Sequence, residues 1–303
     1  MLNIFQKREL DINFIGKRGL GFFLSVVLLA VSIFSLCTKG LNYGIDFEGG
    51  LLIEATSEQV VDIKKVRDSL SFLRDLSIQT AGTEGKTILI QAKPEANQNT
   101  SQLVTKIKEI LGAGYQYGQV EMIGPTIGKE LKEKSLMASV LALLVISIYI
   151  WFRFEWPFAL GCLLALAHDM VIVVGAFSLF QWEFDMVVVA GLLSLAGYDC
   201  NDSIVTYDRV RENLRKFRKT PVDDILNRSI NETLSRTILT SLTTLFVVVV
   251  LLFVGGETLR GFSIAMVLGT IFGTYSSICI AVPLLRYFDI RSVGEVAEKQ
   301  PEG

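Results

Sequence analysis

Six windows of this chain are almost free of charge, and charged residues close each of them at both ends. They span residues 19–38, 135–152, 156–182, 186–207, 237–256 and 261–285. A helix crosses about 30 Å of hydrocarbon with roughly 20 apolar residues, so each window predicts a transmembrane helix. The first window is longer than the core of a signal peptide. No A-x-A-like site follows it, so it is expected to remain as helix one.

Residues 39–134, between helices one and two, follow a different pattern. Segments 50–56 and 87–92 read as strands, and 76–81 and 115–123 read the same way with weaker alternation. Val60, Val61, Ile63, Val66, Leu70 and Leu73 recur at helical spacing over 58–73, as do Leu103, Ile107, Ile110 and Leu111 over 100–111. The order βαββαβ predicts a small α+β ferredoxin-like sandwich. The expected fold class is therefore an α-helical polytopic membrane protein of six helices with one ferredoxin-like domain outside the bilayer.

The distribution of lysine and arginine sets the orientation. Segments 1–18, 208–236 and 286–303 are rich in basic residues, whereas the two short loops on the other side hold only Arg260. Short cytosolic loops attract positive charge and long translocated domains are exempt, so both termini are expected in the cytosol. Residues 39–134 are then on the side of the membrane away from the cytosol.

The chain has 303 residues, half of them apolar, and a net charge of −2. Its mean hydropathy is +0.46, which agrees with the membrane reading. Such a charge balance suggests no nucleic-acid partner. The four cysteines (Cys37, Cys162, Cys200 and Cys279) sit in apolar windows, and there is a single histidine, so no metal or disulfide framework is indicated. The chain holds no GxxxxGK[ST], GxGxxG or GxSxG motif, so it is expected to be no enzyme and to use no cofactor. Any work it performs must draw on an ion gradient, worth about 2.3 kcal/mol per charge per 100 mV.

Polar residues inside the windows are the candidate machinery. Asp169 lies 14 residues from both Glu155 and Glu183, near the bilayer midplane. A carboxyl there is expensive unless it faces a polar interior or carries a proton, and such residues are functional by default. The alternative is a carboxylate that only holds helices together. His168 adjoins Asp169 but departs by about 100° around a helix, so it is a relay member or a packing residue. Asp199 and Asp202 share a face of helix four with Asn201 nearby, about 9–14 Å deep by helical rise. Together with Thr237, Thr240, Ser241 and Thr244 on one face of helix five, Asp199, Asn201 and Asp202 suggest a hydrated half-channel for protons from the cytosol toward Asp169; residues that simply glue helices are the other reading. Arg209 either anchors the cytosolic end or bends back toward the carboxylates. Gly269, Gly273 and Ser276 form a small face for close helix packing.

Four stretches in this order resemble the SecF family of protein-export subunits. They are Tyr43-Gly44-Ile45-Asp46-Phe47-Glu48-Gly49-Gly50; Ala165-Leu166-Ala167-His168-Asp169; Gly197-Tyr198 with Asn201-Asp202-Ser203 and Asp208-Arg209-Val210-Arg211-Glu212-Asn213; and Leu259-Arg260-Gly261-Phe262 with Gly273-Thr274-Tyr275-Ser276-Ser277. The resemblance implies half of an RND-type fold, a six-helix SecD-like partner, the SecYEG channel, and exported unfolded polypeptides as clients. It implies that the proton gradient drives the work, with Asp169 and Arg209 on the proton path. It also implies that Asp46, Gly49 and Gly50 form a hinge between membrane and domain, although an ordinary turn entering a strand is the simpler alternative. Asp199 departs from the pattern, since the family usually has serine after Gly-Tyr, and this leaves open which carboxylate of helix four matters.

Three rival readings stand beside this one. A proton-driven exporter half for small molecules or lipids would need a pocket in 39–134, and nothing there suggests one. An intramembrane aspartyl protease needs G-x-G-D, whereas Ala167-His168 precedes Asp169. A passive translocon assembly factor would use the same carboxylates structurally.

Overall fold

In the computed structural model, which describes residues 12–81, 85–93, 100–112 and 114–291, the first apolar window is one helix, α1 (Arg18–Thr38). Its buried face is Ser25, Ser32 and Ser35, while Phe23, Val26 and Phe34 are exposed. A water-soluble helix would show the reverse. Lipid accepts the apolar side, and small residues let a neighbouring backbone come close. The neighbour is α6 (Trp156–Phe180). A methyl group at Gly175 would overlap Ser32 there, and the Ser35 and Ser178 hydroxyls lie 3.0 Å apart.

Beyond α1 come a two-residue strand, β1 (Asn42–Tyr43), and a single helical turn, α2 (Ile45–Glu48). The chain then builds β2 (Gly50–Ser57), α3 (Ile63–Ser69), β3 (Arg74–Ala81), β4 (Thr87–Lys93), α4 (Thr100–Leu111) and β5 (Tyr115–Ile123). The sheet order is β3–β4–β2–β5 with every pair antiparallel. Alternation puts Leu51, Ile53 and Ala55 of β2 and Ile88 and Ile90 of β4 on one face. Val66 of α3, Leu70 just after it, and Leu103 and Ile107 of α4 cover that face. The first helix is shorter than its expected span of 58–73. Asp62 caps it by accepting from the Lys64 amide at 3.0 Å, and Val61 N donates to Gly85 O, which keeps the preceding residues as a loop.

β5 leads directly into α5 (Pro125–Arg153). α6 is followed by β6 (Glu183–Phe184), α7 (Met186–Lys216), α8 (Val222–Val254) and α9 (Arg260–Ser276). α9 continues through a π turn at Ser277–Ala281 and a last stretch to Tyr287. Three helices outrun their apolar windows: α5 begins at Pro125 rather than 135, α7 ends at Lys216 rather than 207, and α8 begins at Val222 rather than 237. Past the hydrocarbon a helix persists while one face stays covered, and Ile225, Leu226, Ser229, Ile230 and Leu234 of α8 are buried.

Among the described residues, α1, α5, α6, α8 and the 260–287 helix are long and apolar enough to cross a membrane. This is the signature of an integral membrane protein. The apolar run of α7 is interrupted by Asp199, Asn201 and Asp202, although the helix itself is continuous. Leu195 and Ala196 of α7, Cys162 and Ala165 of α6 and Ala265 and Ala281 of the last helix are buried in the centre. Leu141, Val145 and Phe152 of α5 and Phe246, Val250 and Phe253 of α8 face outward.

Candidate functional site

Three carboxylates meet where α6, α7 and α9 pack. Asp169 of α6 is fully buried. His168 Nδ1 lies 2.8 Å from its Oδ1, and Ser276 Oγ of α9 donates to its Oδ2. The Tyr275 ring stands 6.4 Å from that of His168.

Asp202 of α7 is also buried. Thr237 Oγ1 of α8 donates to its Oδ1 at 2.8 Å, and Ser277 Oγ donates to its Oδ2 at 2.7 Å. Ser276 and Ser277 are consecutive, at the point where α9 widens into its π turn. Successive helical side chains diverge by about 100°, so the pair reaches two different helices. Such turns are frequent at functional positions.

Asp199 precedes Asp202 by one turn and is just 5% exposed, yet neither of its oxygens has a hydrogen-bond partner among the described residues. It lies against Gly273, where a methyl group would overlap Oδ1. Gly269 meets Leu195 in the same way, so the two glycines bring α9 onto α7. Ser276, read from the sequence only as a small residue, is also a donor to Asp169.

The hydroxyl stripe of α8 divides. Thr237 and Ser241 are buried, and Ser241 accepts from Tyr198 at 3.3 Å and from Thr274 at 2.6 Å. Thr240 is exposed and donates back to Arg236 O at 3.0 Å. Thr244 is half-buried, and Asn201 is exposed.

The structure does not bring Arg209 to the carboxylates. Its Nε donates to Glu232 at 2.7 Å and its Nη1 to Glu212 at 2.5 Å. Glu232 also accepts from Arg228 at 2.8 Å and from the buried Asn213 at 2.7 Å. Asp208 pairs with Arg153 at 3.0 Å and Arg211 with Glu155 at 2.9 Å. The Asp208–Asn213 run is thus a clamp that ties the basic end of α7 to α8 and to the α5–α6 connection.

At the opposite end, β1 pairs in parallel with β6. Asp46 Oδ2 accepts from the Met186 amide at 3.0 Å, satisfying a free N–H at the start of the helix that carries Asp199 and Asp202. Phe47 packs with Phe177, Phe184 and Val188. Gly49 adopts φ 73°, open to glycine at no steric cost. Gly50 is crowded by Ile45 and by Ala92 O. The segment expected as a hinge is therefore seated against the membrane helices at Asp46 and Phe47 and turns at the glycines. Gln91 of β4 donates to Glu183 at 2.6 Å, a direct tie between sheet and helices. Burial pushes the Glu183 carboxyl above the ordinary carboxylate range; the Gln91 bond opposes this, while Asp185 and Asp46 add to it. Burial raises Asp185 as well, against its bond to the Val188 amide.

Glu232 and Gln91 carried no sequence signal of their own, and Ser277 stood only as the last residue of the 273–277 motif, with no role attached. A serine, an acid in a basic stretch and a strand glutamine are ordinary until their partners are known. No group of three or more His, Cys, Asp or Glu placed to hold a metal ion occurs among the described residues.

The family model for the protein export membrane protein SecD/SecF, C-terminal, matches residues 103–291, and that for the SecD/SecF GG motif matches residues 34–59. The protein translocase subunit SecF of Vibrio alginolyticus is 41% identical over 284 residues, covering 92% of this chain and 90% of that protein. The SecF of Pseudomonas aeruginosa is 42% identical, covering 93% and 92%. The crystal structure of SecDF, a translocon-associated membrane protein from Thermus thermophilus, is similar with a TM-score of 0.81 and 37% identity. That likeness covers 90% of this chain and 38% of the SecDF chain, so this protein spans well under half of it.

Proposed function

This chain belongs to the SecD/SecF family of protein-export membrane proteins, and we propose that it is the SecF-type subunit of a complex with a SecD-like partner, using the proton gradient to help move unfolded polypeptides through the SecYEG channel. The observation that carries this reading is Asp169, fully buried between apolar helices and bonded across to α9 through Ser276. A carboxyl so placed exchanges one proton for a change in hydrogen bonding between helices. An ionised Asp169 only accepts, whereas protonation turns one of its oxygens into a donor, so either the Ser276 bond must reverse direction or the His168 contact must change. Alternation between the two favours two helix arrangements, and one charge moved through 100 mV supplies about 2.3 kcal/mol to bias them.

The reading includes topology. Six spans are proposed, the sixth candidate being α7, whose acids face inward. The sheet order β3–β4–β2–β5 with its two helices supports a ferredoxin-like domain. Basic residues at the α7–α8 connection support a cytosolic placement of that end and of both termini in the inner membrane, with the sheet domain periplasmic. Asp46 at the start of α7 and the Gln91–Glu183 bond would pass helix motion to the domain, the glycines absorbing the angle. Asp202, Thr237 and Ser241 would lead protons from the cytosol toward Asp169. Arg209 would act by holding the basic clamp.

The test uses the complex with its SecD-like partner in sealed vesicles carrying an imposed proton gradient. Asp169→Asn is expected to abolish gradient-dependent release of an exported protein at normal subunit level. A full response from that variant would leave only the passive-assembly reading.

A further inference from the structure

Asp169 and Asp202 each have both carboxylate oxygens engaged, whereas Asp199, in the same buried cluster, has neither. Buried polar groups are almost always satisfied, so an orphan carboxyl calls for an occupant. The groups that face it bring no compensating charge. Asp169 of α6 and Asp202 and Cys200 of α7 are acids or a thiol. His168 Nδ1 is spent on Asp169, and its Nε2 has no partner. α9 contributes Gly273, against which Oδ1 rests, with Thr270 one turn earlier on that face and Tyr275 beyond it. The tight approach of the Gly273 backbone leaves no coordination shell on that side of the carboxyl. A metal ion is disfavoured, and a proton needs no shell.

Thr270 supplies the second observation. It is fully buried, and its hydroxyl has no partner among the described residues. A hydroxyl both donates and accepts, so Thr270 can receive the O–H of a neutral Asp199 and can donate to the same group once ionised. The two groups are not bonded to each other in this arrangement, so the bond forms by rotation of the Asp199 or Thr270 side chain.

We infer that Asp199 is a second proton-binding position, separate from Asp169, with Thr270 as the hydroxyl that holds its carboxyl. The inference rests on the proton-driven reading above. It assigns two proton-bearing carboxyls to the subunit: Asp169 coupled to α9 through Ser276, and Asp199 seated between α7 and the glycine face of α9.

The test is infrared difference spectroscopy on the whole complex in lipid vesicles, following the carbonyl stretch of protonated carboxylic acids and its isotope shift in heavy water. Wild type is expected to show such a band at neutral pH. Asp199→Asn and Asp199→Ser should each remove one component of it, and Asp169→Asn should leave that component in place. Thr270→Val, which keeps Asp199 and removes only the hydroxyl, should move the band to higher frequency through loss of its hydrogen bond. A spectrum unchanged by both Asp199 substitutions, or by Thr270→Val, overturns the inference. Export stimulated by sodium chloride but not choline chloride at constant pH, and lost in Asp199→Asn, would assign the position to a metal ion and overturn it too. If the band is assigned to Asp199 but wild-type vesicles ignore a proton gradient, the proton-driven function fails while the site stands.

Discussion

Ser276 and Ser277 are neighbours in the chain, yet they donate to carboxylates on two different helices, Asp169 of α6 and Asp202 of α7. A single point on α9 therefore senses both acids. A change in charge at either one is felt where the helix is already widened into a π turn.

Ser277→Ala leaves Asp202 Oδ2 without its donor. Removing the partner of a buried polar group costs roughly 1–3 kcal/mol. Thermal unfolding of the purified complex, followed by circular dichroism, should show a lower midpoint. Ser277→Thr, which keeps a hydroxyl, should recover most of the loss. Equal midpoints for the alanine and wild-type proteins would count against the bond.

Gly273→Ala places a methyl group on Asp199 Oδ1 and forces α9 away from α7. Overpacking of this kind costs about 1–3 kcal/mol. The clash is with one side chain, so combining Gly273→Ala with Asp199→Ser should restore stability that the single change loses. A double variant no more stable than Gly273→Ala would place the clash elsewhere.

The junction between sheet and helices should weaken as pH rises. Glu183 and Asp185 sit above the ordinary carboxylate range in the folded protein. A group with a raised folded-state pKa contributes stability that is complete below its unfolded value and is lost as pH climbs through the folded one. Amide exchange at residues 42–50 and 183–188 should therefore be faster at pH 8 than at pH 5 after correction for intrinsic rates. Glu183→Gln should flatten that difference while still accepting from Gln91.

Gly49→Ala forces an L-residue into the left-handed region, a strain of about 1–2 kcal/mol at φ 73°. Gly128→Ala tests the same turn from the other side, since its methyl group would stand 2.8 Å from Gly49 N. Both should speed trypsin cleavage near the junction, and Gly49→Asn should do so less than Gly49→Ala.

Arg209 and Glu232 should act as one unit. Arg209→Ala and Glu232→Ala made together are expected to fall short of the sum of their separate effects on export by about 0.5–3 kcal/mol of coupling. Strict additivity would mean that Arg209 works through another partner.

The long apolar helices and the strands of the sheet domain were legible in the chain because hydropathy and alternation are local properties. β5 occupies the very span 115–123 that its pattern marked, and α4 the span 100–111. The acids at 169, 199 and 202 stood out for the same reason: lipid-facing windows have no other use for charge. Helix ends were not legible, because α8 starts at Val222 on the strength of contacts that bury Ile225 and Leu226. Nor was the direction of Arg209, which depends on Glu232, 23 positions away on another helix. Asp199 and Asp202 look alike in sequence, three residues apart on one helical face. Thr237 and Ser277, 35 and 75 positions beyond Asp202, satisfy that carboxyl, and none of the described residues does so for Asp199. Hydrogen bonding acts through space between helices distant along the chain, so the difference between two identical side chains belongs to the tertiary structure alone.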